Sequence, residues 1–109
     1  MTTQTGLGKT ATTVKTKNGY TYVTYHSTDV VIFNERFIEL NTGGWNTVTT
    51  KGRMNQASNQ FELGYKVFQK NYDWFITYQG KTYEYDNTRA LINRETGAVY
   101  VGQYISEQA

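Results

Sequence analysis

The chain has 109 residues, enough for one hydrophobic core and too few for two. Hydrophobic residues make up only 38%, but ten tyrosines, five phenylalanines and two tryptophans each bury a large area, so a core can still close. Without cysteine, disulfides and thiolate metal sites are excluded; no apolar run nears the roughly 20 residues of a membrane span; and a net charge of +2 compels no nucleic-acid partner.

Residues 1–13 are polar, rich in Thr and Gly, and lack apolar periodicity. They read as a flexible arm that orders against a partner, with residues 14–109 as a single α+β domain. Within the arm, Thr5-Gly6-Leu7-Gly8-Lys9-Thr10 looks like part of a phosphate-binding loop. Such a loop needs a buried strand leading in and a helix leading out, and Thr3 stands where the full pattern wants Gly. The arm reading is therefore preferred. The same residues lack the charged-then-apolar order of a signal peptide, so a soluble protein is expected.

From Val14 to Leu40 the pattern is two-fold periodic. Tyr20, Tyr22 and Thr24 alternate with Thr21, Val23 and Tyr25, which marks a strand, with Lys15, Lys17, Asn18 and Gly19 before it as a turn or edge. Val30–Phe33 and Phe37–Leu40 flank the polar tip Asn34-Glu35-Arg36 as a hairpin. His26 lies between the two; with no second histidine and no cysteine, it reads as a loop or edge residue.

The stretch 41–64 is the one segment that does not read as strand. Gly43-Gly44 releases the chain, Trp45 anchors the crossing, and Thr49 or Thr50 serves as helix N-cap. Val48, Met54, Ala57 and Phe61 are spaced to pack on a sheet, leaving Lys51, Arg53, Asn55, Asn59 and Glu62 on the other face. Gly52 weakens the first turn by roughly 1 kcal/mol relative to alanine, and Gly64 is the natural stop. A meander follows: Tyr65–Gln69, Trp74–Tyr78 and Thr82–Tyr85, with turns at Lys70–Asp73 and Gln79–Lys81. Ala90–Ile92 and Ala98–Val101 then flank a last turn at Asn93–Gly97. The fold expected is a twisted antiparallel sheet of six to eight strands with one short helix packed on it, a partly open barrel being the main variant.

Catalysis finds little support. The chain has one histidine, and its nine acidic residues are scattered over turn tips and solvent-facing strand positions, so no catalytic residue, metal site or cofactor is assigned. The helix start is richer. Thr49, Thr50, Lys51 and Arg53 bring hydroxyls, free N–H groups, a positive dipole end and two cations together, which suits a phosphate. Asn55 and Gln56, with Asn59 and Gln60, add amides of the kind that read base edges, and Trp45 adds a stacking or anchoring ring. A second reading uses the sheet tyrosines, among them Tyr20, Tyr22, Tyr25, Tyr78, Tyr83 and Tyr85, interleaved with lysines. These could stack the bases of a single strand, or form ordinary cross-strand pairs.

The string GGWNTVTTKGRMNQASNQFELGYKVFQKNYDWFITY, Gly43 to Tyr78, resembles small proteins encoded by tailed bacteriophages. In those a GGW turn, a TTKxRMNQ segment and a VFQK…WF hairpin recur in this order. The resemblance implies a phage origin and action in the cytoplasm of the infected host cell, with the virion as alternative. It implies no activity and no functional residue. The expected function is a non-enzymatic accessory protein that binds nucleic acid or a phosphate-bearing ligand. The alternative is a protein-binding module that inhibits a host enzyme or defence factor, or a structural virion subunit. Oligomerisation stays open, and no membrane partner is expected.

Overall fold

The computed structural model describes residues 12–86 and 88–102. Among them the chain runs β1 (Thr12–Lys17), β2 (Tyr20–Tyr25), β3 (Thr28–Phe33), β4 (Phe37–Asn41), α1 (Val48–Phe61), β5 (Tyr65–Lys70), β6 (Asp73–Tyr78), β7 (Lys81–Glu84), β8 (Arg89–Asn93) and β9 (Val99–Val101). The α+β class is as expected, with nine strands among the described residues in place of six to eight. They form two antiparallel sheets, β1-β2-β3-β4-β8-β9 and β5-β6-β7, and do not close into a barrel. The arm and its TGLGKT string, up to residue 11, lie outside the described residues, whereas Thr12 and Thr13, placed in the arm from sequence, begin β1.

Local chemistry accounts for most of the strands. Without proline, the tight hairpins use paired positive-φ residues, which match the right-handed twist of the strands they join. Asn18-Gly19 (φ 55° and 82°) joins β1 to β2, Asn71-Tyr72 (53° and 72°) joins β5 to β6, and Gln79-Gly80 (51° and 79°) joins β6 to β7. At the β3–β4 turn the Asn34 side chain accepts from the backbone N–H groups of Arg36 and Phe37. The pairing β4–β8 is long-range: Leu40 lies opposite Ala90 and Glu39 opposite Leu91, so the chain returns to the first sheet only after the helix and the meander.

Helix α1 lies against β5 of the small sheet and β2 and β3 of the large one. The core sits between these three layers: Val23, Val31, Ile38, Leu40 and Ile92 from the large sheet, Met54 and Ala57 from the helix, Val67 and Ile76 from the small sheet. The ring of Phe61 packs on Phe33, centroids 5.1 Å apart. Val48, expected on the packing face, is instead 75% exposed as the first residue of the helix. Glu62 in the left-handed region (φ 55°) ends the helix, its N–H donating to the Ser58 carbonyl, and Gly64 (φ 86°) turns the chain into β5.

Candidate ligand cleft at the helix N-terminus

The helix is capped by Thr47, not by Thr49 or Thr50 as read from sequence. Thr47 is extended (φ −116°, ψ 162°), its Oγ1 accepts from the Thr50 N–H at 3.1 Å, and its carbonyl accepts from the Lys51 N–H. Thr50, assigned as a cap or contact residue, is fully buried and receives a hydrogen bond from the Thr47 hydroxyl, so it is part of the capping structure. Val48 and Thr49 come before the first residues that can find a carbonyl four back within the helix, so their N–H groups face the space ahead of it.

That space is a cleft. The loop from β4 to α1 is folded on itself: Trp45 N–H donates to the Thr42 carbonyl, Thr47 N–H to the Trp45 carbonyl, and Gly43 N–H to Asn41 Oδ1. Gly43 lies so close to Thr28 that a Cβ there would sit 2.7 Å from its Oγ1 and 2.8 Å from its Cγ2. The loop is thereby pressed onto the start of β3. Between loop, helix start and the β2–β3 turn lies a volume of about 370 Å³. Its walls are Tyr25, His26 and Trp45, the hydroxyl-bearing residues Ser27, Thr28, Thr42, Thr47, Thr49 and Thr50, and Val30. No carboxylate lines it. The Tyr25 and His26 rings meet at 4.4 Å, and Trp45 is 65% exposed at the rim.

Of the residues proposed from sequence, the cleft gathers Trp45, Thr49 and Thr50. The other four do not line it and point in two directions. Lys51 donates to Gln69 Oε1 at 3.3 Å and lies 5.8 Å from the centre of the Trp74 ring, against the small sheet. Asn55 is clamped to β5: its Nδ2 donates to the Val67 carbonyl and its Oδ1 accepts from the Val67 N–H, both at 2.8 Å. Asn55 was expected to read a ligand; its amide is used as a strand partner instead. Two residues before Asn55, or roughly 200° around the helix, Arg53 points to the large sheet. Its Nε donates to Thr12 Oγ1, its Nη1 donates to Gln56 Oε1, and its guanidinium stands 5.4 Å over the Tyr25 ring. Arg53 thus borders the cleft through Tyr25 and holds Gln56 on its outer side.

Ser27 and Thr28 were missed as site residues, Tyr25 was read only as one of the sheet tyrosines that could stack bases, and His26 was read as a loop or edge residue, which the β2–β3 turn bears out. The signal that could have found them is Gly43: a glycine forced to positive φ (64°) against another chain segment marks a close approach.

Two phenols elsewhere are strongly perturbed, and both belong to packing. Burial pushes the Tyr65 hydroxyl well above its ordinary range, with a smaller push from Tyr85, and it donates to the Met54 carbonyl at 2.6 Å. Burial likewise raises Tyr85, helped by the Glu39 charge and opposed by a backbone hydrogen bond at Thr42; its hydroxyl donates to the Thr88 carbonyl. Among the described residues, no three acidic or histidine side chains are grouped to share a metal ion, and no helix is long and apolar enough to cross a membrane.

These elements define an α+β domain in which one helix lies between two antiparallel sheets and opens, at its start, on a hydroxyl-lined aromatic cleft. The chain belongs to the Kyanoviridae Gp96 protein family, whose model matches residues 2–101, and is thus a bacteriophage protein. The match extends well beyond the Gly43–Tyr78 stretch that carried the resemblance. No curated protein and no solved structure matches it.

Proposed function

We propose that the protein is a non-enzymatic phage accessory protein, acting in the cytoplasm of the infected cell, that binds a phosphate-bearing ligand with an aromatic base at the start of α1. The ligand is a nucleotide, or one nucleotide unit of a nucleic acid. The observation that carries this reading is the composition of the cleft at the start of α1: the aromatic residues Tyr25, His26 and Trp45, six residues with hydroxyl side chains and no carboxylate around about 370 Å³. A volume of that order suits one nucleotide. The base would stack on Trp45 or His26, and the phosphate would meet the N–H groups of Val48 and Thr49 and the Thr49 hydroxyl, where the helix dipole favours negative charge. The GGW and TTKGRMNQ segments of the sequence supply the loop and helix start of this reading.

Trp45 is exposed and Trp74 is 6% exposed, so quenchable tryptophan emission reports on the cleft. The purified protein is titrated with thymidine and adenosine monophosphates and with a short oligothymidylate at low and moderate salt. Quenching that weakens with salt, and disappears in Trp45→Phe, is the expected result. Thr49→Asp is the sharper variant. A carboxylate in the first turn stabilises the helix by about 0.3–1 kcal/mol, yet it occupies the place of the phosphate. Binding should fall at least tenfold while Tm holds or rises. Native affinity in Thr49→Asp, or no quenching at low salt, overturns the reading. The competing reading, a protein partner seated on the same surface, draws on Trp45 and Val48, both largely exposed. Its affinity would resist salt, where phosphate contacts would not.

A further inference from the structure

The large sheet has a second face, turned away from the helix, and β1 and β2 build its open end. The register sets Lys15 opposite Tyr22 and Lys17 opposite Tyr20, so the four side chains alternate on one surface. Val23 and Tyr25, which pack toward the core, point the other way. The Tyr20 and Tyr22 rings stand 6.5 Å apart and tilted by 53°, with Tyr20 38% exposed. Beside them lies an open groove of about 590 Å³ between Lys15, Lys17, Tyr22 and Asp29.

The charge on this face is unbalanced. Neither lysine is in an ion pair among the described residues. Of the two carboxylates that the strands bring to the same face, Glu39 is paired with Arg89 at 2.9 Å, and Asp29 accepts from the Thr24 hydroxyl at 2.6 Å but keeps its charge, so two lysines stand against one unpaired carboxylate. Two lysines outside any ion pair, spaced by one strand residue, in excess over the single Asp29 carboxylate and set against two tyrosine rings, complement a chain that alternates phosphates with flat bases. Acidic side chains gather elsewhere, with Asp73, Glu84 and Asp86 around a cleft at the ends of β6 and β7.

The geometry points to the β1–β2 face as a binding surface for single-stranded nucleic acid. Lys15 and Lys17 take successive phosphates, and Tyr20 and Tyr22 offer their rings to the bases. A duplex is disfavoured because its bases are not free to stack on a sheet. The assignment does not rest on the cleft at α1, which opens on the other side of β2.

The test is fluorescence anisotropy with a labelled oligothymidylate of about 12 nucleotides, within the usual site size of a single-strand groove, over a series of salt concentrations. The native protein should bind with an affinity that falls as salt rises. Lys15→Ala/Lys17→Ala should bind roughly tenfold more weakly, and its slope of log K against log salt should be flatter by about 1.4, or about 0.7 per lost phosphate contact. Tyr20→Ala, at the exposed first position of β2 and outside the core, should lose roughly five- to 150-fold with the slope unchanged. Circular dichroism checks that each variant is folded. Trp45→Phe is run beside them: it should bind the oligonucleotide as the native protein does even if it no longer binds a mononucleotide. The assignment is overturned if folded native protein fails to bind at low salt, or if the lysine variant keeps native affinity and slope. It is also overturned if only Trp45→Phe loses the oligonucleotide, which would place the strand in the cleft. A further contrary result is salt-sensitive self-association, lost in the lysine variant, without oligonucleotide binding. That would mean the basic face meets the acidic end of a second copy.

Discussion

Asn55 is the residue whose place in the fold departs most sharply from what the bare sequence suggests. Its side-chain amide makes both hydrogen bonds that a neighbouring strand would make to Val67, each 2.8 Å long, and Val67 itself is 1% exposed. In Asn55→Ala the Val67 N–H and carbonyl lose their partners in a place water reaches poorly. At about 1 ± 0.5 kcal/mol per bond, weighted upward for groups left unpaired, the loss is about 1.5–3 kcal/mol. Alanine is the better helix former by roughly 0.6 kcal/mol, which offsets part of it. The net expectation is a destabilisation of about 1–2.5 kcal/mol. With a urea dependence of roughly 1.5 kcal/mol/M, the unfolding midpoint should move down by about 0.7–1.7 M at unchanged slope. Asn55→Asp keeps an acceptor for the Val67 N–H but sets a carboxylate oxygen against its carbonyl, and should be at least as damaging. Nucleotide or oligonucleotide affinity, measured on protein that remains folded, should not change in Asn55→Ala. A variant that is as stable as the native protein but has lost ligand would refute this account and return Asn55 to the binding surface.

Three further outcomes follow from the same geometry. Thr47→Ala should cost about 1 kcal/mol in urea unfolding through loss of the N-cap, whereas Thr49→Ala should cost only a few tenths; the reverse order would restore the cap position read from sequence. Tyr65 and Tyr85 are neutral when protonated and their pKa values are raised on folding, so the folded chain holds two protons that the unfolded chain gives up near pH 10. Their contribution is complete below pH 10 and falls above it by about 1.4 kcal/mol per pH unit for each phenol; Tyr65→Phe should roughly halve that alkaline slope in melts taken from pH 9 to 11. Gly43→Ala combines a left-handed φ of 64°, worth about 1–2 kcal/mol, with a clash on Thr28. In a double-mutant cycle, Thr28→Ala should recover the steric part and leave the backbone part, and full recovery would show that strain at Gly43 is negligible.

What was legible in the sequence is what neighbouring residues decide. Tyr20–Tyr25, the Val30–Leu40 hairpin and the 65–85 meander could be read because alternation and the turn pairs Asn71-Tyr72 and Gln79-Gly80 act within a few residues. The division into two sheets could not, because it depends on β8 choosing β4. That choice is tied down by contacts such as Arg89 to Glu39, 50 residues apart, and by the Thr42 N–H donating to the Thr88 carbonyl. The site divides in the same way. Trp45, Thr49 and Thr50 follow from the helix start, while Tyr25, His26 and Thr28 reach it from a turn that sequence places far away. Lys51, Arg53, Asn55 and Gln56 were grouped because a helical net shows which residues share a face but not what stands opposite.

What stands opposite explains why this helix carries so many amides and hydroxyls. An isolated β5 would present an unpaired edge, a template for pairing with another chain. Asn55 closes that edge at Val67, and Ser58 Oγ donates to the Tyr65 carbonyl at 2.7 Å. Lys51 adds a side-chain contact at Gln69. The helix therefore uses apolar Met54 and Ala57 to pack and polar residues to finish a sheet. Among the described residues no buried side-chain nitrogen or oxygen lacks a partner. Polarity spent on that closure is not available to a ligand. The outward polar chemistry that suits a phosphate lies at two places, the cleft ahead of α1 with its hydroxyl-bearing residues and the lysine–tyrosine face of β1 and β2. They lie on opposite sides of β2, so single variants on either side can test each without disturbing the other.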